Sequence, residues 1–265
     1  MSAASTLLTV WAGMAAVMTL GWLWERRRRN AGHVDVLWAL GVGASAVGIA
    51  ITGEGAALPR MLLAVLGGAW GLRLAAHLAH RVVSEAEDGR YAHLRAYWHG
   101  SGWKFFLFFQ LQALLVPLFS LPFLAVARNP VAGVSTWMLA AIAIWLAAIA
   151  GESIADRQLA RFRADPANRG RTCREGLWGW SRHPNYFFEW LHWFAYVALA
   201  VGSPLAALAW AGPVVMYVFL RWLSGIPFTE AQALRTRGAD YADYQRTTPM
   251  FLPWPPRSPT PRTVE

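Results

Sequence analysis

The sequence is poor in charged residues and in cysteine, and each shortage excludes a class of protein. Only 15% of its 265 residues are charged and 56% are hydrophobic, whereas about a quarter of the residues of a soluble domain are charged. The single cysteine, Cys173, excludes an intramolecular disulfide framework and a zinc site made of several cysteines. A disordered chain is excluded as well, because the sequence contains 16 Trp, 13 Phe and 7 Tyr.

The sequence contains several long runs of apolar residues. Seven of them approach the roughly 20 residues that a helix needs to cross a bilayer. The first run is followed, not preceded, by the arginines at 26–29, so we interpret it as a span and not as a cleaved signal peptide. The sequence therefore predicts an all-α, polytopic membrane helix bundle that forms one domain, 1–265. The expected spans lie near 5–24, 34–52, 60–79, 104–126, 134–155, 185–202 and 205–224.

The basic residues predict how this bundle is oriented. The net charge is +9, carried by 23 Arg and one Lys, and most of these residues lie in alternate connections between the spans. Under the positive-inside rule, this pattern places the N-terminus outside and the C-terminus in the cytoplasm. We therefore expect an integral protein of the inner (plasma) membrane, with the bilayer as its partner. The pattern favours neither nucleic acid nor an obligate protein partner.

Ionisable residues at membrane depth are candidate functional residues because they are costly in lipid. In the sixth span, Asn185, Glu189, His192 and Tyr196 share one helical face, and Asp156 ends the fifth span. Such a stripe can serve a functional site or make hydrogen bonds between helices. We favour the functional reading for this stripe.

Two earlier spans carry similar residues. Arg73 and His77 lie one turn apart in the third span, and Asp35 begins the second. Asp35 can face a polar cavity or act as a helix N-cap. We predict no metal site, since the chain has one Glu-x-x-His motif and its seven histidines are scattered.

The basic loops also fit a phosphate-rich cofactor, since arginine binds phosphate through two parallel hydrogen bonds. The sequence has no Gly-x-Gly-x-x-Gly motif and no strand pattern to carry one, so helices and loops would have to hold a dinucleotide. Composition alone leaves open that these loops are only topology signals.

Residues 176–189, GLWGWSRHPNYFFE, resemble the signature of the steroid 5α-reductase-like integral membrane proteins, and more closely that of their bacterial DUF1295 branch. Similar strings lie in order at 34–38, 70–77, 155–159, 224–227 and 241–253. Phe188 is a departure, because the family usually has glycine before the glutamate. The resemblance covers about 30–256.

This resemblance implies a membrane reductase that binds NADPH in its C-terminal half, 134–256, with substrate-side helices in 34–126. The residues that match cofactor-binding positions are Arg90, Tyr91, Asp156, Arg163, Arg171, Arg182, His183, Asn185, Tyr186, Glu189, Glu230, Tyr241, Tyr244 and Arg246.

The reaction implied is the reduction of an enone in a lipophilic substrate, which can be a sterol, a polyprenyl or a fatty compound. Hydride passes to the β-carbon while an acid stabilises the enolate oxygen. The Gln-Glu pair of the eukaryotic steroid reductases is missing here, so Asp35 is the expected acid, with Arg73 and His77 as its neighbours.

Two alternatives remain open at the level of sequence. Membrane methyltransferases of the isoprenylcysteine and phospholipid type bind S-adenosylmethionine through an Arg-His-Pro-x-Tyr motif, which residues 182–186 also fit. A transporter or scaffold is the non-enzymatic alternative, and Pro117 and Pro122 within the fourth span are a weak indication of it.

Overall fold

A computed structural model describes residues 2–84 and 86–256, and within these residues every regular element is helical. The prediction of an all-α protein is confirmed. The helices are α1 Ala3–Arg28, α2 His33–Thr52, α3 Ala57–Ser84, α4 Gly89–Tyr97, α5 Gly102–Phe119, α6 Leu121–Ala127, α7 Thr136–Ala164, α8 Pro184–Leu199, α9 Ala211–Val218, α10 Ile226–Arg237 and α11 Ala239–Thr247. Short 3-10 turns occur at Pro166–Asn168, Gly176–Gly179 and Ala206–Trp210, and one π-helical turn at Phe219–Leu223.

Six helical segments of the described chain are long and apolar enough to cross a membrane, which supports an integral membrane protein. The sequence predicted about seven. The difference is α8, which has only 16 residues, or about 24 Å at 1.5 Å per residue, against a hydrocarbon core of about 30 Å. The six segments are Ala3–Arg28, His33–Thr52, Ala57–Ser84, Gly102–Ala127, Thr136–Ala164 and Ala206–Arg237.

The chain divides into two compact units, and the first comprises Met1–Ile142 and Ala195–Gly212. Small residues let its helices approach closely. A Cβ atom added to Gly43 of α2 would lie 3.0 Å from the Cα atom of Gly71 on α3. The hydroxyls of Ser45 and Ser120 share a buried hydrogen bond of 2.8 Å. Close backbone contact and buried polar bonds are typical of helices that pack within a membrane.

The second unit comprises Ala143–Phe194 and Pro213–Glu265. Within it, the ring of Phe188 on α8 fills the space beside Gly151 on α7, where an added Cβ would overlap the ring carbons. Phe188, the departure from the family pattern, therefore packs against a neighbouring helix. The segment after α11 is tied to the loop before α8, because the Arg182 N–H donates to the Pro249 carbonyl at 2.8 Å.

Candidate functional site

The loop before α8 carries a largely buried charge network in the second unit. Glu230 accepts hydrogen bonds from Arg182 Nε at 2.7 Å and from His183 Nε2 at 3.1 Å. Its second oxygen accepts one from Gln245 Nε2 at 2.8 Å. Arg182 Nη1 also donates to the carbonyls of Gln245 and Thr248, both at 2.9 Å. This network fastens the loop to α10 and α11.

His183 is held as a neutral ring within this network. Its side chain is buried, and burial lowers the pKa of the imidazole, while the hydrogen bond to Glu230 opposes that shift without cancelling it. The ring stacks on Tyr186 with centroids 5.4 Å apart and an interplanar angle of 6°. The Tyr186 hydroxyl in turn bonds to Thr229 Oγ1 at 3.2 Å. The histidine therefore contributes packing and a hydrogen bond, not a charge.

The tail residues singled out in the sequence differ in their surroundings. The Tyr244 hydroxyl is buried and donates to the carbonyls of Trp178 and Ser181, and burial raises the pKa values of Tyr241 and Tyr244. Arg246 is exposed and bonds to Asp243 at 2.7 Å. The two tyrosines thus hold the tail, whereas Arg246 lies on the surface.

The polar stripe of α8 is anchored at its first turn. Asn185 Nδ2 donates to Asp156 Oδ1 of α7 at 3.3 Å, and its Oδ1 accepts the Tyr186 N–H at 3.0 Å. Glu189 and His192 are buried, and the His192 ring bonds to the Glu189 carbonyl at 2.7 Å. Asn185 and Asp156, which the resemblance places separately among the cofactor-binding residues, are therefore in direct contact.

An open cleft of about 450 Å³ lies elsewhere in the second unit, where the end of α7, the loop after it and the end of α10 meet. Four arginines line it, along with one asparagine, one threonine, the single cysteine and three other residues. The lining residues are Leu159, Phe162, Arg163, Asn168, Arg169, Gly170, Arg171, Cys173, Thr236 and Arg237.

Three of the four arginines in this cleft have no acidic ion-pair partner among the residues that the structure describes. Within residues 2–84 and 86–256, no carboxylate lies within ion-pair distance of Arg169, Arg171 or Arg237. Arg174, only three residues after Arg171, does have such partners, because it bonds to Asp240 at 3.4 Å and to Asp243 at 2.9 Å. The cleft is therefore suited to an anionic group.

The cleft combines expected and unexpected residues. Arg163 and Arg171 were indicated by the family resemblance. From the sequence, Arg169 and Arg237 were interpreted only as residues that set the membrane topology. The one sequence feature that could have indicated Arg169 is that it and Arg171 flank Gly170. Gly170 has a φ of 78°, which glycine adopts without strain. Burial raises the pKa of the Cys173 thiol, so the thiol stays protonated at neutral pH and is a poor nucleophile.

In the first unit, Asp35 of α2 is held by residues of α4. Arg90 Nη2 bonds to Asp35 Oδ2 at 3.2 Å, and Arg90 Nε bonds to Asp88 Oδ1 at 3.1 Å. Tyr91 is buried against them, with the Arg90 guanidinium 5.3 Å from its ring centroid. Burial, followed by the charge of Asp35, raises the pKa of Tyr91 well above its usual value. The phenol of Tyr91 is therefore protonated.

Arg73 and His77 lie on α3. Arg73 is half-buried and His77 is on an exposed face. Gly43 packs against Gly71 and Gly32 packs against Val82, so residue numbers rise along α2 as they fall along α3. By this alignment, Asp35 lies at the same height as about residue 79 of α3. Arg73 is then roughly 9 Å farther along the helix than that level, at 1.5 Å per residue. His77 is closer to the level of Asp35 than Arg73 is.

The fold and these clusters define a polytopic α-helical membrane protein with an arginine-lined cleft. Among the described residues there is no group of three or more His, Cys, Asp or Glu side chains that could hold a metal ion. A family model described as "Protein of unknown function (DUF1295)" matches residues 21–248, so the chain belongs to the DUF1295 family, as its signature strings predicted. No curated protein and no solved structure matched the chain.

Proposed function

We propose that the protein is an NADPH-dependent membrane reductase that reduces a C=C bond conjugated to a carbonyl group in a lipophilic substrate. The substrate class is steroid-like, isoprenoid or fatty. The observation that supports this proposal is the arginine-lined cleft. The distribution of basic residues supports a cytoplasmic C-terminus in the inner membrane, and that topology would give the cleft access to cytoplasmic NADPH.

The chemistry of the cleft fits the phosphate groups of NADPH. A pyrophosphate and a 2′-phosphate need several cationic hydrogen-bond donors, and arginine is the residue best suited to bind phosphate through two bonds at once. The volume of about 450 Å³ lies within the usual range of ligand sites, roughly 300–1,000 Å³. Arg169, Arg171 and Arg237 would bind the phosphates, since no described carboxylate neutralises them. Bound NADPH supplies the hydride.

The network around Glu230 has a supporting role in this proposal. Arg182, His183 and Tyr244 already bond to other groups of the second unit. They would keep the loop and the tail in place instead of contacting the cofactor directly. Asn185 and Asp156 would likewise hold α8 against α7.

The residue that stabilises the substrate carbonyl is better assigned to Tyr91 than to Asp35. The carboxylate of Asp35 is already paired with Arg90, whose Nη2 lies 3.2 Å from Asp35 Oδ2. Tyr91 keeps its proton and already bonds to Asp35, and we propose that it turns this hydrogen bond to a developing enolate oxygen when substrate binds. We expect Tyr91→Phe to lower kcat by about 10²- to 10⁴-fold with NADPH affinity unchanged. Tyr97→Phe, an exposed position on the same helix, is the matched control.

Ligand-dependent thermal stability of the detergent-purified protein tests the cofactor. NADPH at about 100 times its Kd should stabilise the protein by roughly 2.7 kcal/mol, and NADH, which lacks the 2′-phosphate, should stabilise it less at the same concentration. Adenosine 2′,5′-bisphosphate should likewise stabilise it more than 5′-AMP does. S-adenosylmethionine has no phosphate, so it should not stabilise a site that binds phosphate groups. Stabilisation by S-adenosylmethionine alone would contradict the proposed reductase and indicate a methyltransferase.

Two double variants with the same loss of charge test whether NADPH binds in the cleft. Arg169→Gln with Arg171→Gln should abolish the shift caused by NADPH. Arg161→Gln with Arg235→Gln removes the same charge from exposed residues of α7 and α10 that do not line the cleft, and it should keep the shift. Equal losses in both pairs would mean that only the overall charge matters.

A further inference from the structure

A second basic surface lies in the first unit, at the C-terminal end of α1. The four arginines at 26–29 are exposed, and Lys104, the only lysine of the chain, is exposed at the start of α5. Within the part of the chain that the structure describes, no carboxylate is within ion-pair distance of these five residues. Among the described residues, no acidic partner therefore compensates the positive charge of this surface.

The acidic residues of the same region are already engaged. Glu25 is 2% exposed and receives a bond of 2.8 Å from Arg95 Nη1. Glu87 receives a bond of 2.7 Å from Arg95 Nη2 and accepts the Ala31 N–H at 2.8 Å. Neither carboxylate is available to the arginines of the surface.

Two of the four arginines are directed at the start of α5. A Cβ atom added to Gly102 would lie 3.8 Å from Arg26 Nε, and one added to Gly100 would lie 3.9 Å from Arg29 Nη1. The Trp22 indole donates to the Gly102 carbonyl at 2.8 Å and fixes the end of α1 against this segment. Arg26 and Arg29 are thus held beside the segment that leads into Lys104.

Exposed tryptophans border the same surface. Trp24 and Trp103 are 53% and 63% exposed, and Arg28 lies over the Trp24 ring at 5.1 Å. Tryptophan is enriched where the apolar part of a membrane meets the headgroups. The surface therefore has the composition expected of residues at the level of the lipid headgroups, where its cations can meet lipid phosphates.

We propose that Arg26, Arg29 and Lys104 form a binding site for the headgroup phosphate of an anionic phospholipid. Arginine and lysine at the membrane surface attract anionic lipids, and the guanidinium group binds phosphate through two bonds. The positive-inside rule accounts for the number of charges at the end of α1. It does not account for the direction of Arg26 and Arg29 toward the start of α5.

The single lysine makes the site accessible to chemical labelling. The full-length protein is placed in nanodiscs of phosphatidylcholine alone or with phosphatidylglycerol, and acylation of Lys104 by an amine-reactive reagent is followed by peptide mass spectrometry. We expect phosphatidylglycerol to slow the acylation several-fold. Equal rates in the two lipids would overturn the proposal.

A charge-matched pair of variants separates a site from a general surface effect. Arg26→Gln with Arg29→Gln should remove most of the protection of Lys104 by phosphatidylglycerol. Arg27→Gln with Arg28→Gln, which has the same net charge, should retain it. Equal loss in both pairs would show a diffuse electrostatic effect and no site. If free glycerol phosphate in phosphatidylcholine nanodiscs protects Lys104 equally well, the site binds small anions and the lipid assignment is wrong.

Discussion

The second unit holds arginines in two contrasting environments. The Arg182 side chain is 10% exposed, and Glu230 and two carbonyls satisfy its hydrogen bonds. Arg169 and Arg171 are exposed in an open cleft, and no described carboxylate lies within ion-pair distance of either. A buried charge is tolerated only with partners, so Arg182 belongs to the scaffold. An exposed group of cations without acidic partners gains nothing for the fold and is available to an anionic ligand.

The largest expected effect comes from removing the acid of the buried network. Glu230→Ala leaves Arg182 buried without its carboxylate, which should lower the free energy of unfolding by about 3–5 kcal/mol. Chemical unfolding in detergent measures this loss. Glu175→Ala, an exposed acid in the same loop, should stay within about 0.5 kcal/mol of the parent. A small effect at Glu230 would mean that Arg182 is not a scaffold residue.

A substitution at Gly151 tests an uncharged contact of the second unit, the packing of Phe188 against α7. Gly151→Ala introduces a Cβ into the Phe188 ring and should cost about 1–3 kcal/mol of stability. Gly13→Ala, at a helical glycine with open space beside it, should be neutral or stabilising.

A double variant shows whether the two residues are coupled. Adding Phe188→Ala to Gly151→Ala should cost less than the sum of the two single changes, because the smaller side chain makes room for the new methyl group. Strict additivity in unfolding experiments would contradict the contact between Phe188 and Gly151.

The third expected effect is a pH dependence of the scaffold. Burial lowers the pKa of His183 in the folded protein below 6.5, the usual value of a histidine side chain. The unfolded chain therefore binds the proton more readily, and His183 should reduce stability as the pH falls through 6.5 toward the folded pKa. Thermal unfolding between pH 7.5 and 5 of the parent and of His183→Gln checks this, with phosphate-free buffers to avoid occupying the cleft. An unchanged slope in the variant would assign the pH dependence to other groups.

Sequence patterns predicted the helical fold because apolar runs report directly on membrane helices. The limit of the method is visible at α8, expected at 185–202 and observed at Pro184–Leu199. Hydropathy alone did not indicate where this helix ends. Gly202, with a φ of 94°, lies in the turn beyond it.

The site was harder to predict because charge compensation depends on residues that are distant in sequence. Arg182 and Glu230 are 48 residues apart, and Asp35 and Arg90 are 55 apart. Sequence reasoning placed Arg182 among the cofactor-binding residues and Asp35 as the acid, and it could not indicate that the structure pairs them with Glu230 and Arg90. The same limitation hid Arg169 and Arg237, whose place in the cleft depends on how α10 meets the loop after α7.

The smallest expected effect on stability is that of removing the exposed arginines of the cleft, in contrast to the loss of the partner of Arg182. Arg169→Gln and Arg171→Gln remove exposed charges without described carboxylate partners, so each should change the free energy of unfolding by no more than about 0.5 kcal/mol in the absence of ligand. The affinity for adenosine 2′,5′-bisphosphate should nevertheless fall by roughly tenfold or more, the effect of losing one charge-assisted hydrogen bond. Added salt should weaken binding to the parent, because the cleft is open to solvent. A large loss of stability with unchanged affinity would reverse the assignment and make these arginines part of the scaffold.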